Sequence, residues 1–546
     1  MPTLQRLILV ILALLLSVAP SARAQHDDAT GGGENGESSG SGDDRENGDD
    51  GENGDDGENE EGDGPGQVLI RGDDWQQETA RRWLSDRGYS ITPVSEYPVF
   101  SIWLYDFDAG VLGDEDAANV RQILEDLVSL QLIEDGEFNL PMSVELGVGQ
   151  TGSLWVSGMS AGRFDSQYGF TAINQAATSA HASGAGVIVA IIDSGLIPGA
   201  GLSRTYSMNR SYDFVNHTGL VPGIPSSDTG DGINGNGING ADEGVGHGTF
   251  VASLIGRVAP LAKHLHMKVL DDEGTCKLSS VVAALQACMN ENVHVVNLSL
   301  VPSTRTRFLK FPINTVRMNG SIVIASAGNT ANPINPFTES EPDLIQVGAV
   351  DSVNAVWTNS PTNAAWVDVM APGVSNLSTA SGSANSVLPG QWVIGEYGSV
   401  NGVTAYAAAS GTSFSAAFVT GAAAAFRSAN PDWPNASMPA ANIADEFRVR
   451  MQEADDSANT IKRLRAYAIV EQDPAVPSCE GDIVPFGLNG QVSCCRTPAD
   501  DFVYYSQLDL HLSPSHDLRR ILRADLDRDR DVDQADLARL ITNPCN

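Results

Sequence analysis

Short apolar runs alternate with helical segments between residues 166 and 470. The runs have the length and unbroken apolar character of buried parallel strands, and they lie at 187–192, 265–269, 293–298 and 322–325. Buried strands separated by helices are typical of a doubly wound α/β fold with a mostly parallel sheet. The pattern therefore predicts one such domain at 166–470.

The region at 67–145 has a different pattern. It predicts a strand, a helix, a strand, a helix and a closing strand, at 67–71, 74–87, 99–105, 117–129 and 130–136. This mixture indicates a small α+β domain of about 75 residues. A stretch rich in Gly and Ser at 147–162 is typical of a linker between the two domains.

The first 24 residues match a secretory signal peptide. Arg6 supplies a positive charge, residues 7–18 are apolar, and Ala22-Arg23-Ala24 fits a signal-peptidase site. The alternative is a transmembrane anchor, but this apolar run would span only about 18 Å as a helix, against a hydrocarbon core of roughly 30 Å. We expect cleavage before Gln25 and a secreted protein that no longer contacts a membrane.

The charge of the chain is strongly negative, with 69 acidic and 32 basic residues and a formal net charge of −37. This balance argues against nucleic acid and anionic membranes as partners, because both would be repelled. Residues 25–66 are nearly all Gly, Asp, Glu, Asn and Ser, so they can bury no core and are expected to be a disordered acidic linker. The linker is either a solvated spacer or a segment that binds calcium weakly.

The six cysteines of an exported chain are candidates for disulfides. Four lie in the C-terminal region at 471–546: Cys479, Cys494, Cys495 and Cys545. The adjacent pair is expected to bond to the outer two in either order. Cys276 and Cys288 are expected not to bridge each other, because a helix at 278–290 holds them beyond the Cα limit of about 7 Å. Cys288 is predicted to be an inert core thiol.

Three polar residues stand where α/β enzymes carry catalytic groups. Asp193 ends the first apolar run, His247 lies between two glycines that leave its ring accessible, and Ser413 opens a helix of small residues. Each has an ordinary structural alternative, since Asp can cap a helix, His can be structural and Ser can be an N-cap.

In this order the three residues and their neighbours resemble the subtilase family, whose catalytic residues run Asp, His, Ser. Two further stretches match the family, 322–329 ending in Gly-Asn, and Ala371-Pro372-Gly373. The resemblance implies a subtilisin-like fold and a serine endopeptidase that acts on proteins or peptides. It also implies that Asp193, His247 and Ser413 form the catalytic triad, while Asn329 binds the oxyanion.

The sequence departs from the family at two places. After Ser413 the usual proline is missing, which removes no catalytic group. Val301-Pro302 replace a usual Gly-Gly at the edge where the substrate backbone pairs, so the cleft is expected to be narrower there.

The domain at 67–145 lies where subtilases carry a propeptide. The resemblance therefore implies an inhibitory, folding-assisting propeptide that binds its own protease, with a retained accessory domain as the alternative. Self-cleavage would then fall between residues 140 and 166.

Acidic residues near the C-terminus have the spacing of an EF-hand-like calcium loop: Asp525, Asp527, Asp529, Asp531, Asp533 and Asp536. The loop resembles that of dockerin repeats, which end in Asp, although Arg530 occupies the position of the usual glycine. Calcium is expected here as a structural ion. The insert at 228–242, rich in Asn and Gly, is either a second calcium site or a mobile loop.

Two other functions are compatible with parts of this sequence. An esterase of the α/β-hydrolase kind would need Gly-x-Ser-x-Gly, whereas Ser413 lies in Gly-Thr-Ser-Phe-Ser. A calcium-binding or adhesive protein on an inactive protease scaffold would be favoured by the loss of a triad residue, and all three are present. The sequence thus favours the endopeptidase.

Millimolar calcium should raise the melting temperature of the chain, because an ion that binds only the folded state stabilises that state. Asp525→Ala should abolish the shift, whereas Asp63→Ala in the acidic linker should retain it. Thermal melts with calcium and with chelator test this, and a melting temperature independent of calcium in the parent protein contradicts the assignment.

Overall fold

A computed structural model describes residues 66–108, 114–144, 156–197, 211–215, 244–332, 334–337, 344–375, 392–400, 403–453 and 462–471. They all belong to one compact unit, Gly62–Asn546. Within these ranges, no helix has the length and apolar character needed to cross a bilayer. The predicted signal peptide, nearly all of the acidic linker, the insert at 228–242, the four C-terminal cysteines and the calcium loop lie outside the described residues.

The N-terminal domain has a βαββαβ order. Its elements are β1 (Gln67–Arg71), α1 (Asp74–Ser85), β2 (Ser90–Tyr97), β3 (Ile102–Asp108), α2 (Asp114–Ser129) and β4 (Asp135–Phe138). The strands form an antiparallel sheet in the order β2-β3-β1-β4. Asp73 and Gln76 close a reciprocal capping box at the start of α1, which fixes where that helix begins.

Both faces of this small sheet are covered. Val68 and Ile70 of β1 point into a core shared with the two helices, whereas Leu69 between them belongs to a core shared with the following domain. Successive side chains of a strand point to opposite faces of the sheet, so alternate residues of β1 belong to different cores. The domain contacts the next one through Val99, whose N–H donates to Gln286 Oε1 at 3.1 Å, and through Arg71, whose guanidinium lies 4.3 Å from the centroid of the Phe311 ring.

The remaining elements build the larger domain and its contact with the smaller one. The strands are β5 (Pro141–Ser143), β6 (Val156–Met159), β7 (Ile188–Asp193), β8 (Tyr212–Asp213), β9 (Lys263–Lys268), β10 (Thr275–Lys277), β11 (Val295–Leu298), β12 (Val301–Pro302), β13 (Ile322–Ser326), β14 (Ile345–Val350), β15 (Val369–Pro372), β16 (Val393–Val400), β17 (Val403–Ala409) and β18 (Lys462–Arg463). The helices are α3 (Ala161–Asp165), α4 (Tyr168–Ala172), α5 (Gln175–His181), α6 (His247–Val258), α7 (Leu278–Asn290), α8 (Lys310–Met318), α9 (Thr412–Ala429), α10 (Ile443–Glu453) and α11 (Ala466–Glu471).

A parallel sheet forms the centre of the larger domain. In the described part of the chain it has eight strands, in the order β18-β15-β14-β13-β11-β7-β9-β8. Each neighbouring pair runs parallel. Val189 and Ile191 of β7 face the apolar cluster that contains α6 and α9, and Ala190 and Ile192 face the one that contains α7. The predicted doubly wound α/β sheet is thus confirmed, and all four predicted strands belong to it.

Helix α9 runs through the core against the sheet and α6. Its small residues permit this close approach: a Cβ placed on Gly421 would lie 2.5 Å from the Cβ of Val258 in α6. Two helices can therefore meet at this point only because one of them has no side chain there.

Three predicted boundaries were wrong. The strand expected at 99–105 is β3, which begins at Ile102 because Val99 and Phe100 lie in a turn that includes Ser101 with φ 54°. The strand expected at 130–136 is β4, which begins at Asp135. Part of the predicted linker is ordered, since Val156–Met159 forms β6 and pairs with β17.

The helix predicted between the two inner cysteines is confirmed as α7, and Cys276 and Cys288 are both free and buried.

Gly421→Ala should destabilise the protein by about 1–3 kcal/mol, because the added methyl group meets a Cβ that cannot rotate away. This exceeds the gain of about 1 kcal/mol that Ala brings to a helix. Gly162→Ala in α3 is the matched control, since its new Cβ would have no heavy atom within 4 Å. Urea unfolding measures both, and equal stability of the two variants contradicts the packing argument.

Candidate active site

Asp193 lies at the carboxyl end of β7, in the middle of the parallel sheet. Its side chain is fully buried, and Oδ1 accepts hydrogen bonds from the Ser194 N–H and from His247 Nδ1, both at 2.8 Å. An ionised carboxylate only accepts, so this bond places the imidazole proton on Nδ1 and makes Nε2 the acceptor. The Asp is therefore an orienting partner for a histidine.

His247 is the first residue of α6, and the glycines beside it bring that helix close to β7. Gly246 has φ 88°, a left-handed conformation that favours glycine. A Cβ on Gly248 would lie 2.4 Å from the Gly195 carbonyl oxygen, just after β7. The expectation that the glycines leave the ring accessible was wrong: His247 is 2 % exposed, and their role is to allow backbone contact.

Helix α9 begins at Thr412, so Ser413 is its second residue and not its first, as predicted. Gly411 is the N-cap, so the N-cap alternative for the serine is excluded. The Ser413 hydroxyl donates to the Ser299 carbonyl at 3.1 Å, and Ser299 Oγ donates back to the Ser413 carbonyl at 3.0 Å. The next residue, Phe414, lies with its ring centroid 5.5 Å from that of His247. The start of α9 is thus held beside both β11 and the histidine.

Asn329 follows β13 and reaches the same helix start. Its Oδ1 accepts hydrogen bonds from the Thr412 N–H at 2.9 Å and from Thr412 Oγ1 at 3.0 Å. These bonds fix the orientation of the amide group. Its Nδ2 then lies near Gly411, where an added Cβ would be 3.5 Å away. The structure therefore brings all four predicted site residues to one edge of the sheet.

Several polar residues behind this edge were not recognised in the sequence. Asn297 donates to Ser299 Oγ at 2.8 Å and accepts from Thr420 Oγ1 at 2.8 Å, and all three side chains are fully buried. Lys268, on the strand beside Asp193, donates from Nζ to the carbonyl oxygens of Ser194 at 2.9 Å and of Leu270 at 2.8 Å. Polar residues inside otherwise apolar runs were the only available signal.

His266 is a buried histidine on β9 behind the site. Its side chain is 1 % exposed, and neither ring nitrogen has a hydrogen-bond partner in the described part of the protein. Burial lowers the pKa of His266 to about 4, although the nearby Asp193 acts to raise it. The imidazole is therefore neutral at pH 7.

The edge predicted to bind the substrate backbone already pairs with a strand of the chain. β5 lies antiparallel between β10 and β12, in the three-stranded order β10-β5-β12. Val301 and Pro302, expected to narrow the cleft, are both buried and still form this pairing.

Among the described residues, no group of three or more His, Cys, Asp or Glu side chains is placed to hold a metal ion.

Comparison with known proteins identifies the class to which this fold and site belong. Residues 184–457, half of the chain, match the Subtilase family. The chain belongs to that family and is a serine endopeptidase of the subtilase type.

Its relatives include well-known subtilisins. Subtilisin of Bacillus pumilus is 31 % identical over 269 residues, which cover 47 % of this chain and 82 % of the relative. Subtilisin BL of Lederbergia lenta is 29 % identical over 262 residues, covering 46 % and 80 %. Fervidolysin from Fervidobacterium pennivorans, a keratinolytic enzyme related to subtilisin, superposes with a TM-score of 0.54 at 18 % identity and shows the shared fold. The superposition covers 76 % of this chain and 61 % of fervidolysin.

Acid should destabilise the protein through His266. Its pKa in the folded state, about 4, lies below the value of about 6.5 in an unfolded chain, so protonation favours unfolding. This contribution to stability is complete above pH 6.5 and is lost as the pH falls towards 4, by up to about 3 kcal/mol.

His266→Leu should reduce the dependence of unfolding free energy on pH between 7 and 4.5. His181→Leu, at a partly exposed position, is the control and should leave the dependence intact. Urea unfolding across this pH range measures both, and a slope unchanged in His266→Leu contradicts the prediction.

Proposed function

We propose that this protein is a secreted endopeptidase that hydrolyses peptide bonds through an acyl-enzyme intermediate, with Asp193, His247 and Ser413 as its triad. The observation that carries the proposal is the 2.8 Å bond between the buried Asp193 carboxylate and His247 Nδ1, on a helix that packs beside the start of α9. The relatives of the chain and its signal-peptide pattern support secretion. The paired acid and histidine favour the enzyme over the inactive scaffold.

The nucleophile must change its hydrogen bond before it attacks. A hydroxyl has one proton, and in this structure Ser413 uses it to donate a hydrogen bond to the Ser299 carbonyl. Rotation about the Cα–Cβ bond of Ser413 would direct that proton to His247 Nε2, which takes it as the oxygen attacks the peptide carbonyl. His247 then returns the proton to the leaving amine, and Asp193 stabilises the charged imidazole meanwhile.

The tetrahedral oxyanion requires donors already in position. The Asn329 Nδ2 and the backbone N–H of Ser413 would supply them, next to the positive end of the α9 dipole. Thr412 orients the amide of Asn329 through two hydrogen bonds to Oδ1. A donor held in this way needs no rearrangement when charge develops on the substrate oxygen.

The N-terminal domain would act as a propeptide that blocks the cleft until it is removed. The position of β5, paired on both sides at the substrate edge, supports this role over that of a retained accessory domain. The calcium loop near the C-terminus remains a separate proposal, as a structural site.

Expression of the chain without its first 24 residues, beside Ser413→Ala, tests the function. The parent protein should shorten between residues 140 and 166 and should hydrolyse casein, whereas the variant should stay intact and inactive. A parent that is folded, intact and inactive would contradict the proposed function.

Asn329→Asp should lower kcat by at least about 10²–10³-fold, the loss typical of an oxyanion donor, for which subtilisin is itself the reference case. The new carboxylate keeps the acceptor for Thr412 but cannot donate, so the fold and KM should change little. Thr330→Ala, at the exposed neighbouring position, should retain full activity. Steady-state kinetics on a peptide substrate measure the effect, and kcat equal to that of the parent contradicts the role of Asn329.

A further inference from the structure

Three exposed cations lie close together on the larger domain, shortly after the strand β12. Arg305, Arg307 and Lys310 all fall within residues 305–310, and no acidic residue stands between them. We call these three residues the basic cluster. The chain as a whole has 69 acidic and 32 basic residues, a balance that repels acidic molecules. The basic cluster is therefore a local exception to the charge of the rest of the protein.

The residues between these cations hold the basic cluster in place. Thr306 and Phe308 are buried, and the Thr306 N–H donates to the Pro336 carbonyl at 3.1 Å. Thr306 Oγ1 in turn accepts a hydrogen bond from the Phe308 N–H at 3.1 Å. The Lys310 N–H donates to the Arg307 carbonyl at 3.0 Å, at the start of α8. Because the backbone is fixed at these points, the cations extend from a preformed surface.

The N-terminal domain places carboxyl groups against this surface. Arg307 Nη2 lies 3.6 Å from Oδ1 of Asp135, across the contact between the two domains. Glu137, on the same strand β4, is also within electrostatic reach of that guanidinium. Burial raises the pKa of the Glu137 carboxyl, whereas Arg121 and Arg307 act to lower it. The basic cluster therefore already attracts carboxylates in the folded chain.

A cavity of about 470 Å³ lies between the two domains at this point. The charged residues that line it are Arg305, Arg307 and Lys310 of the larger domain and Arg121, Glu125 and Glu137 of the N-terminal domain. The side chain of Arg307 stays 68 % exposed although Asp135 lies beside it. The N-terminal domain thus leaves part of the basic cluster accessible, and removal of that domain would uncover more of it.

The basic cluster lies where the substrate edge continues past β12. The Ser303 N–H, one residue after β12, still donates to the Pro141 carbonyl of β5 at 3.1 Å. A backbone that pairs antiparallel with β12, as β5 does, runs from the side of Arg305 towards Ser299. The residues that precede the paired stretch therefore come to the basic cluster. In this chain Asp135 precedes β5 in the same way and contacts the cluster.

We propose that the basic cluster is an exosite that binds acidic segments of protein substrates, on the N-terminal side of the stretch that occupies the cleft. The inference rests on the proposed function, because it concerns the substrates of that protease. Guanidinium groups bind carboxylates through charge-assisted hydrogen bonds, and Arg clusters are a recurrent means of recognising acidic segments. These contacts lie away from the reacting groups, so they bind substrate and transition state equally. KM should therefore fall while kcat stays the same.

Two peptides test the exosite in the mature enzyme. They share a core of about ten residues around one casein bond that the enzyme cuts, and they differ only in a short N-terminal extension, Glu-Asp-Glu-Asp-Glu-Asp or Gln-Asn-Gln-Asn-Gln-Asn. At low salt the acidic peptide should have a kcat/KM roughly tenfold higher, the factor that a few exposed ion pairs supply together. The difference should lie in KM and should shrink as salt is raised, because exposed charges are screened.

Substitution of the cations tests whether the basic cluster causes the preference. A variant that combines Arg305→Gln, Arg307→Gln and Lys310→Gln should cut both peptides with the kcat/KM that the parent enzyme has for the neutral one. Lys263→Gln is the control, at an exposed position at the amino end of β9, the opposite end of the sheet from the site. It should keep the preference of the parent enzyme. Steady-state kinetics measure each case, with circular dichroism to confirm folding.

The outcomes separate the exosite from the activity on which it depends. Equal kcat/KM for the two peptides in the parent enzyme overturns the exosite alone, and this comparison needs no variant to fold. A preference that survives in the folded triple variant also overturns it. A folded parent protein that cuts neither the peptides nor casein overturns the proposed function, and the exosite with it.

Discussion

The buried carboxylate of Asp193 is the group on which the arrangement of the site depends. A charge at the end of an apolar strand is costly unless it is paired and hydrogen-bonded. Here one oxygen accepts from both the Ser194 N–H and His247, while the ammonium group of Lys268 is tied to the Ser194 carbonyl. These contacts require α6 to begin directly above β7, so the stability of the carboxylate and the position of the histidine have the same cause.

The second constraint is the close approach of α6 to β7 and to α9. Gly248 meets the Gly195 carbonyl, and Gly421 meets Val258 in the helix that carries the histidine. Because each contact leaves no space for a Cβ, α6 is held by β7 on one side and by α9 on the other. The distance between the histidine and the serine is thereby set by packing over the whole length of two helices, and not by the residues of the site alone.

The sequence was sufficient for those parts of the fold and site that depend on local patterns. Four buried strands, α7, Asp193, His247, Ser413 and Asn329 could be located because each sits in a short segment with a distinct composition. Lys268, His266 and Ser299 could not be assigned roles, because their contacts join strands that are far apart along the chain. The boundary of β3 was wrong for a related reason. Val99 and Phe100 are apolar like strand residues, but Phe100 is buried against a neighbouring domain that the local pattern does not include, and the Val99 N–H donates to Gln286 of that domain.

The loop after β11 sets the resting position of the serine. The Ser299 carbonyl accepts a hydrogen bond from the Ser413 hydroxyl, and Ser299 Oγ donates to the Ser413 carbonyl. Ser299 is held in turn by Asn297, whose amide donates to Ser299 Oγ and accepts from Thr420 Oγ1 in α9. The buried polar contacts that join the sheet to α9 therefore also fix the hydroxyl that the proposed mechanism requires to turn towards His247.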